Sequence, residues 1–509
     1  MTRTRTAVKA ALAGLTHVPR PATTQVVPTE TRRCSTMVRS FTADDFHFPA
    51  RDAGLAYTAA PAPVLIRRPP ARVRQFARSE TPALNRRMRS RMEDRWRWPT
   101  NPPVFETLSA VMRADDLAMG QRKMFLDGRI LLSAAAGDRV WKSVLNTLDA
   151  EAEAALNEAF ARERGRAFAG LPVADAAGDD LPFVLDMRNG YNFYHFLTEL
   201  MPQLALVAEQ PSGAPIHVHL PVRQALASFP AAFIDAVYPA LRRRIRFTDQ
   251  PHAYGPARIV YNHRHYLYQA GDAQVAEALA PLPPDDPWHA LSSQRAARKF
   301  LLTSTYDSGM RLLRRHVLDR IGETGAGEGA PARIWIGRDP ASPGTNPREN
   351  QGEEALLDAL AERGFQTVYL ERMPPLEQMA TIARAEAIVA PHGAAFAHML
   401  FARRDATVIE IATPQTQLHR WGDFLGNAHV AQCRYCTVFA DTVEGGAEDE
   451  VPAITEGLKG IAIGPAARAQ VLDLLDSFHA DAPDHAAAGA PCSGEDPPPD
   501  PPRGPSHAP

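Results

Sequence analysis

At 509 residues, with 45% hydrophobic content, the chain is long enough for two folded domains with sizeable cores and further material besides. A formal net charge of -2 gives no global attraction to nucleic acid, and no run approaches the roughly 18 to 20 apolar residues that a membrane-spanning helix needs. The start, MTRTRTAVKAALAGLTHVPRP, has an apolar segment too short and too interrupted for a signal peptide, so the expected compartment is the cytoplasm.

Residues 1–105 are rich in proline and arginine, with turn clusters such as RRPPAR and little sustained periodicity. Arg67, Arg68, Arg72, Arg74, Arg78, Arg86, Arg87, Arg89, Arg91, Arg95 and Arg97 have few acids between them. This stretch reads as a surface-wrapping, partly disordered arm whose basic footprint leaves room for peripheral contact with the inner face of a membrane. Beyond it, Trp141 to Phe168 has apolar residues at helical spacing and predicts a long amphipathic helix. Phe183 to Asp186 predicts a strand, a loop follows over residues 187–192, and FYHFLTELMPQLALVAEQ predicts a helix with a proline part way along. Short strands are expected in PIHVHLP, RRIRFT and ARIVYNH, so residues 106–285 read as a first α/β domain that ends in the linker LAPLPPDDPWH.

A second α/β pattern fills residues 290–480 at shorter intervals. Helical SSQRAARKFLLT and SGMRLLRRHVLDRIG lead in, followed by a strand over Ala332 to Arg338, a helix over Glu353 to Arg363 closed by Gly364, and a strand over Gln366 to Leu370. A helix with proline in its first turn spans Pro375 to Ala385. Then AIVA stops at Pro391-His392-Gly393-Ala394, a segment of helical character follows, and a β-branched run, Thr407 to Ile411, carries Glu410. Residues 481–509 have the composition of a disordered tail. Of four cysteines, Cys433 and Cys436 have C-x-x-C spacing, but neither a second pair for zinc nor the opening of a helix after a first strand accompanies them, so they read as ordinary thiols.

Two groups of residues could carry chemistry. In the second domain a strand, a glycine turn and a helix at 387–401 would place backbone N–H groups where an anion can sit, with Arg338 and Arg348 on neighbouring loops as diphosphate partners. Glu410 is placed as a ribose-hydroxyl acceptor would be. The chain has neither G-x-G-x-x-G after a first strand nor G-x-x-x-x-G-K-[ST], so dinucleotide and P-loop readings lack support. In the first domain Asp186, His195 and Glu199 gather at one strand-loop-helix junction. His195 and Glu199 share a helical face, with Asn192 one turn earlier, a grouping suited to general-base work; a metal is not required, since no third ligand stands at metal spacing.

Tyr191 to Pro202, the strand with its arginine at 333–338, the loop Arg348-Glu349-Asn350-Gln351-Gly352-Glu353, and Ile388 to Ala394 with Leu400-Phe401 and Val408 to Ile411 together resemble glycosyltransferase family 61, the group that includes capsular-polysaccharide biosynthesis proteins. The resemblance covers roughly residues 180–415. It implies a GT-B fold of two facing Rossmann-like domains, a nucleoside diphosphate sugar as donor substrate with no further cofactor, and inverting transfer to a hydroxyl of a glycan acceptor. Arg338, Arg348, Asn350, His392, Gly393, Ala394 and Glu410 would be donor-binding; His195, Glu199 or Asp186 would be the base; Tyr191 and Asn192 would lie on the acceptor side. Ala395, His398, Gln203 and Arg403-Arg404-Asp405 stand where the family has other residues. The alternatives are a non-catalytic nucleotide- or glycan-binding partner in a polysaccharide assembly complex, and a Rossmann oxidoreductase.

Overall fold

A computed structural model of the chain describes residues 41–49, 51–62, 65–96, 104–120, 123–133, 137, 144, 147–164, 171–174, 180–188, 190, 192–220, 226–262, 305–339, 350–443 and 450–480. In chain order the strands are β1 (Leu55–Tyr57), β2 (Leu65–Arg68), β3 (Arg72–Ala77), β4 (Val104–Thr107), β5 (Ser109–Gly120), β6 (Lys123–Leu126), β7 (Arg129–Leu131), β8 (Phe183–Asp186), β9 (Ile216–His219), β10 (Ile245–Thr248), β11 (His252–Asn262) and β12 (Thr305–Asp307). They continue as β13 (Arg333–Ile336), β14 (Gln366–Val368), β15 (Ala387–Pro391), β16 (Thr407–Ala412), β17 (Arg434–Phe439), β18 (Asp441–Thr442) and β19 (Ile461–Ala462). The helices are α1 (Pro82–Trp96), α2 (Ala150–Arg164), α3 (Phe193–His195, a π-helical turn Phe196–Leu200, then Met201–Ala208), α4 (Phe229–Val237), α5 (Ser308–Thr324), α6 (Glu353–Ala361) and α7 (Pro375–Arg384). A 3-10 helix, Ala394–Phe401, precedes α8 (Pro414–His419), α9 (Leu425–Ala431) and α10 (Pro465–Ala480).

One sheet has six strands, all parallel, in the order β14-β13-β15-β16-β17-β3. Apolar residues on both faces of its strands explain why it is wound on both sides. Ile334, Ile388, Val408 and Tyr435 face a core with Ile382 of α7, Phe396 and Met399 of the 3-10 helix, and Leu425 of α9. Trp335, Val389, Ile409 and Cys436 face the opposite way, onto Leu356 and Leu360 of α6 and Val471 and Leu474 of α10. In this layout β13 and β15 are neighbours whose connections leave toward opposite edges, through β14 on one side and β16 on the other. Such a switch point opens a crevice at the carboxyl ends of the two strands.

The other large sheet contains parallel β10-β9-β8-β11, extended by antiparallel β5, β6 and β7, with β1 also on β5. Phe183, Leu185, Ile216 and Val218 face α3 and α4 in a core that continues through Leu313 and Val317 of α5 to Met379 of α7 and Leu400 of the 3-10 helix. This shared core joins the two sheets. A third, three-stranded sheet, β12-β4-β2, is tied by Glu106, which is 3% exposed and accepts from Arg68 and Arg311.

The described part of residues 1–105 differs from the expected arm. It supplies β1 and β2 to two sheets, and β3 completes the parallel sheet beside β17. Alternation explains β3: Val73 and Ala77 enter the core while Arg72 and Arg74 stay exposed, so arginines disguise a strand as a polar tract. Within the span Trp141 to Phe168 expected as one helix, Val144 is helical and α2 covers Ala150–Arg164, where the Asp149 carboxylate accepts from the Ala152 amide. Cys433 and Cys436 are free and buried, Cys436 within β17, and burial pushes both thiols up to about 12. Residues 1–40, the linker 279–289, the segment 292–303 and the tail 481–509 lie outside the described residues.

Candidate functional site

The site is built from the carboxyl end of β8 and from the crevice between β13 and β15. After β8 the chain enters α3, where the Asn192 side chain accepts from the His195 amide at 3.3 Å and caps the helix. Pro202 has no N–H to give and its ring crowds the carbonyl four residues back, and here the helix widens into a π turn with Met201 N–H bonded to Phe196 O. Gln203 Nε2 donates to the carbonyls of Glu199 and Asp186, both at 2.9 Å, and so ties the widened turn to the end of β8. On this turn His195 Nδ1 lies 2.8 Å from Glu199 Oε1, and the Arg188 guanidinium reaches the same oxygen at 3.0 Å.

Asp186 is at the same junction but on the other side. It follows Leu185 on the strand, shares the face of Val184, and is 2% exposed in register with His219 of β9. That face holds residues for which the sequence reading had no role. The Tyr254 hydroxyl lies 2.9 Å from His217 Nδ1 and 2.6 Å from His219 Nε2. Burial holds His219 down at about 3 and also lowers His217. The alternation in Ile216-His217-Val218-His219 at a strand end was the available signal.

Across the crevice, Arg338 leaves the end of β13 and its Nη2 donates to the His392 carbonyl at 2.6 Å. Burial pulls this guanidinium below its ordinary value, while Glu353 and Glu371 pull it the other way. Gly393 has an extended backbone, so its conformation does not demand glycine; a Cβ there would stand 3.2 Å from Arg338 Nη2, and the guanidinium would have to give by a few tenths of an ångström to admit it. Ala394 then opens a 3-10 helix of 8 residues, long for that form.

His392 and Glu410 form a second histidine–glutamate pair. Register sets Ala390 beside Glu410, and His392 Nδ1 meets Glu410 Oε1 directly beyond the strand end. The other carboxylate oxygen accepts from the Tyr435 hydroxyl and, at 3.2 Å, from Thr437 Oγ1. Glu410 is 2% exposed and engaged on both oxygens, which does not suit the ribose-acceptor role read from the sequence. Asn350 is likewise engaged: its amide donates to Glu353 at 2.8 Å and its carbonyl accepts from Ile461 N–H at 3.4 Å, while Gly352, with φ 73, leaves no room for a Cβ beside the Ile463 carbonyl. Tyr191 and Arg348 lie outside the described residues.

Aromatic rings join the two halves. Tyr194 packs on Phe424 at 5.4 Å and Phe424 on His392 at 5.1 Å, and the Tyr194 hydroxyl donates to the Asp423 carbonyl. Phe193 stacks on His398 of the 3-10 helix at 4.8 Å. Among the described residues no group of three or more histidines, cysteines or acids could hold a metal ion, and no helix is long and apolar enough to cross a membrane.

Fold and site together define an α/β protein with a crevice site at the switch point of a parallel sheet, joined through Tyr194 and Phe424 to a histidine–glutamate pair on the helix that follows β8 of a second sheet. The family model described as Glycosyltransferase 61 matches residues 193–409, a span that contains both histidine pairs apart from Glu410. Over these residues the chain is similar to glycosyltransferase family 61, and that family implies glycosyltransferase activity on sugar donor and acceptor substrates. A search of curated proteins finds no match.

Proposed function

We propose that the protein is a GT-B-type, inverting glycosyltransferase that moves a sugar from a nucleoside diphosphate to a hydroxyl of a glycan, in the synthesis of a capsular or other cell-surface polysaccharide. The donor diphosphate lies in the switch-point crevice against Arg338 and the amides that follow Gly393, where fixed positive charge offsets the charge that builds on the leaving group. His195, oriented by Glu199, takes the proton from the acceptor hydroxyl. Asp186, on the opposite face of its strand, is left out of that step, and Asn192 holds the helix end that presents His195.

The observation that carries this reading is the pairing of two half-sites: the His195–Glu199 turn and the Arg338–His392 crevice are linked through Tyr194 and Phe424. Inversion requires attack from the face opposite the leaving diphosphate, and two half-sites on separate sheets can hold the two substrates on opposite sides of the sugar. A thermal-shift screen of nucleotide sugars, followed by transfer assays, tests it. The reading requires stabilisation by at least one donor, loss of that shift in Arg338→Ala, and loss of transfer in His195→Ala and Glu199→Ala. Binding without turnover on any acceptor would instead favour a non-catalytic partner. The work is placed at the cytoplasmic side of a membrane, where the basic N-terminal segment would meet anionic headgroups.

A further inference from the structure

The site contains two histidine–glutamate pairs of the same local geometry, Nδ1 to Oε1 in each, but the charge around them differs. Glu199 has Arg188 on the same oxygen that His195 uses, so the carboxylate already has a cation. Glu410 has no such partner: among the described residues it bonds only to His392, Tyr435 and Thr437, and the nearby Arg338 faces Glu353 and Glu371. Glu410 is also the more buried, with its side chain 2% exposed against 15% for Glu199. A carboxylate taken out of water stays costly where its hydrogen-bond donors are neutral and no positive partner compensates it.

We propose that the two pairs therefore hold different numbers of protons and perform opposite steps. In the Arg188–Glu199–His195 group the arginine balances the carboxylate, the ring is neutral with its proton on Nδ1, and Nε2 carries a lone pair. In the Glu410–His392 pair one additional proton balances the buried carboxylate, so Nε2 of His392 carries a hydrogen. Among the described residues that nitrogen has no partner. Two like groups set among different charges can take opposite parts in one reaction, base and acid.

This assignment rests on the donor-site reading above. As the acceptor oxygen bonds to the anomeric carbon, its proton passes to His195 Nε2. The bond from that carbon to the diphosphate oxygen breaks, and its electron pair stays on that oxygen. His392 Nε2–H donates to the oxygen and, where the proton transfers, leaves with the nucleoside diphosphate. His195 later releases one proton to solvent and His392 regains one, so the cycle balances. Glu410, Tyr435 and Thr437 are positioning residues behind His392.

The test uses the full chain labelled with nitrogen-15 histidine, with calorimetric titration of uridine, guanosine, cytidine, adenosine and thymidine diphosphates. The spectrum is expected to show both ring nitrogens of His392 protonated, and Nε2 of His195 bare. Glu410→Gln removes the His392 Nε2 proton, a change that a purely structural role for Glu410 would not produce. His392→Gln lowers affinity for the bound diphosphate about tenfold or more, in the range of a charged hydrogen bond, with affinity for the parent nucleoside retained. A bare Nε2 on His392 in the unsubstituted protein, or diphosphate binding unchanged in His392→Gln, overturns this inference alone. If the unsubstituted protein binds none of the five diphosphates, the donor site falls with it.

Discussion

The Arg338 guanidinium crosses from the end of β13 to the main-chain carbonyl of His392 at the end of β15, at 2.6 Å, and passes directly over Gly393. The contact closes the switch point of the parallel sheet with a fixed cation. It also makes three residues interdependent: the arginine orients the turn, the glycine admits the arginine, and the turn aims the His392 ring at Glu410.

Gly393→Ala is expected to act through Arg338. The new Cβ would sit 3.2 Å from Nη2, so the guanidinium has to shift by a few tenths of an ångström. The expected outcome is a fall in donor affinity of several-fold, with Arg338→Ala larger at about tenfold to a hundredfold, since a hydrogen bond to a charged group is worth roughly 1.5 to 3 kcal/mol. Titration of both variants with the bound nucleotide checks the order; equal affinity in Gly393→Ala and the unsubstituted protein would contradict it.

On the facing half-site, His195→Asn is expected to lower transfer by about 100- to 10,000-fold, the usual contribution of a general base. Glu199→Gln should cost less, because the amide oxygen still accepts from Nδ1–H while Arg188 loses its ion pair. Steady-state kinetics should place the His195 effect in kcat, with donor affinity little changed. A His195→Asn enzyme with unaltered kcat would remove this residue from the reaction.

The legible parts of the fold were those whose signal is local. Ala387 to Pro391 and Thr407 to Ile411 are buried on both faces, so they read as continuous apolar runs, as parallel strands do. His195 and Glu199 were legible as a pair because helical spacing alone brings them together. The His392–Glu410 pair was not, because it depends on the register of two parallel strands, which leaves no trace in spacing. β17 was hidden behind its C-x-x-C spacing, and β3 behind its arginines. The Ala71 amide, just ahead of β3, donates to His429 Nδ1 across 358 positions, and nothing in either segment names the other.

Acid is expected to weaken the junction between the two sheets through His398. This ring is buried against Phe193 and Phe233, and burial brings it from 6.5 down to about 4. With the folded value below the unfolded one, the neutral ring imposes no penalty above 6.5; as pH falls, the unfolded chain takes up the proton first and stability is lost until the folded ring titrates near 4. The shift is worth about 3 kcal/mol at its full extent. His219, held down at about 3, adds a loss of the same sign. Urea unfolding at neutral pH and near the lower value should show His398→Asn less acid-sensitive than the unsubstituted protein; an equal loss in both would contradict the assignment.

Residues 290–480, which the sequence presents as a self-contained domain, are expected not to fold normally alone. Without the N-terminal segment, β17 becomes a bare sheet edge, an invitation to aggregation. His429 Nδ1 loses the Ala71 amide, Gln470 loses Arg78, and the first turn of α10 loses the Glu80 carboxylate that accepts from Ala466 N–H at 2.8 Å. His429 is fully buried, so the loss of that hydrogen bond costs about 1 to 3 kcal/mol. A fragment of residues 290–480 should therefore be insoluble or unfold at a much lower temperature than the full chain. Addition of a peptide spanning residues 65–96 should raise its midpoint, and Val73→Asp in that peptide should abolish the effect, because Val73 is the larger of the two β3 side chains buried in the sheet's core. A fragment that unfolds cooperatively at the temperature of the full chain, with or without the peptide, would show that β3 is dispensable.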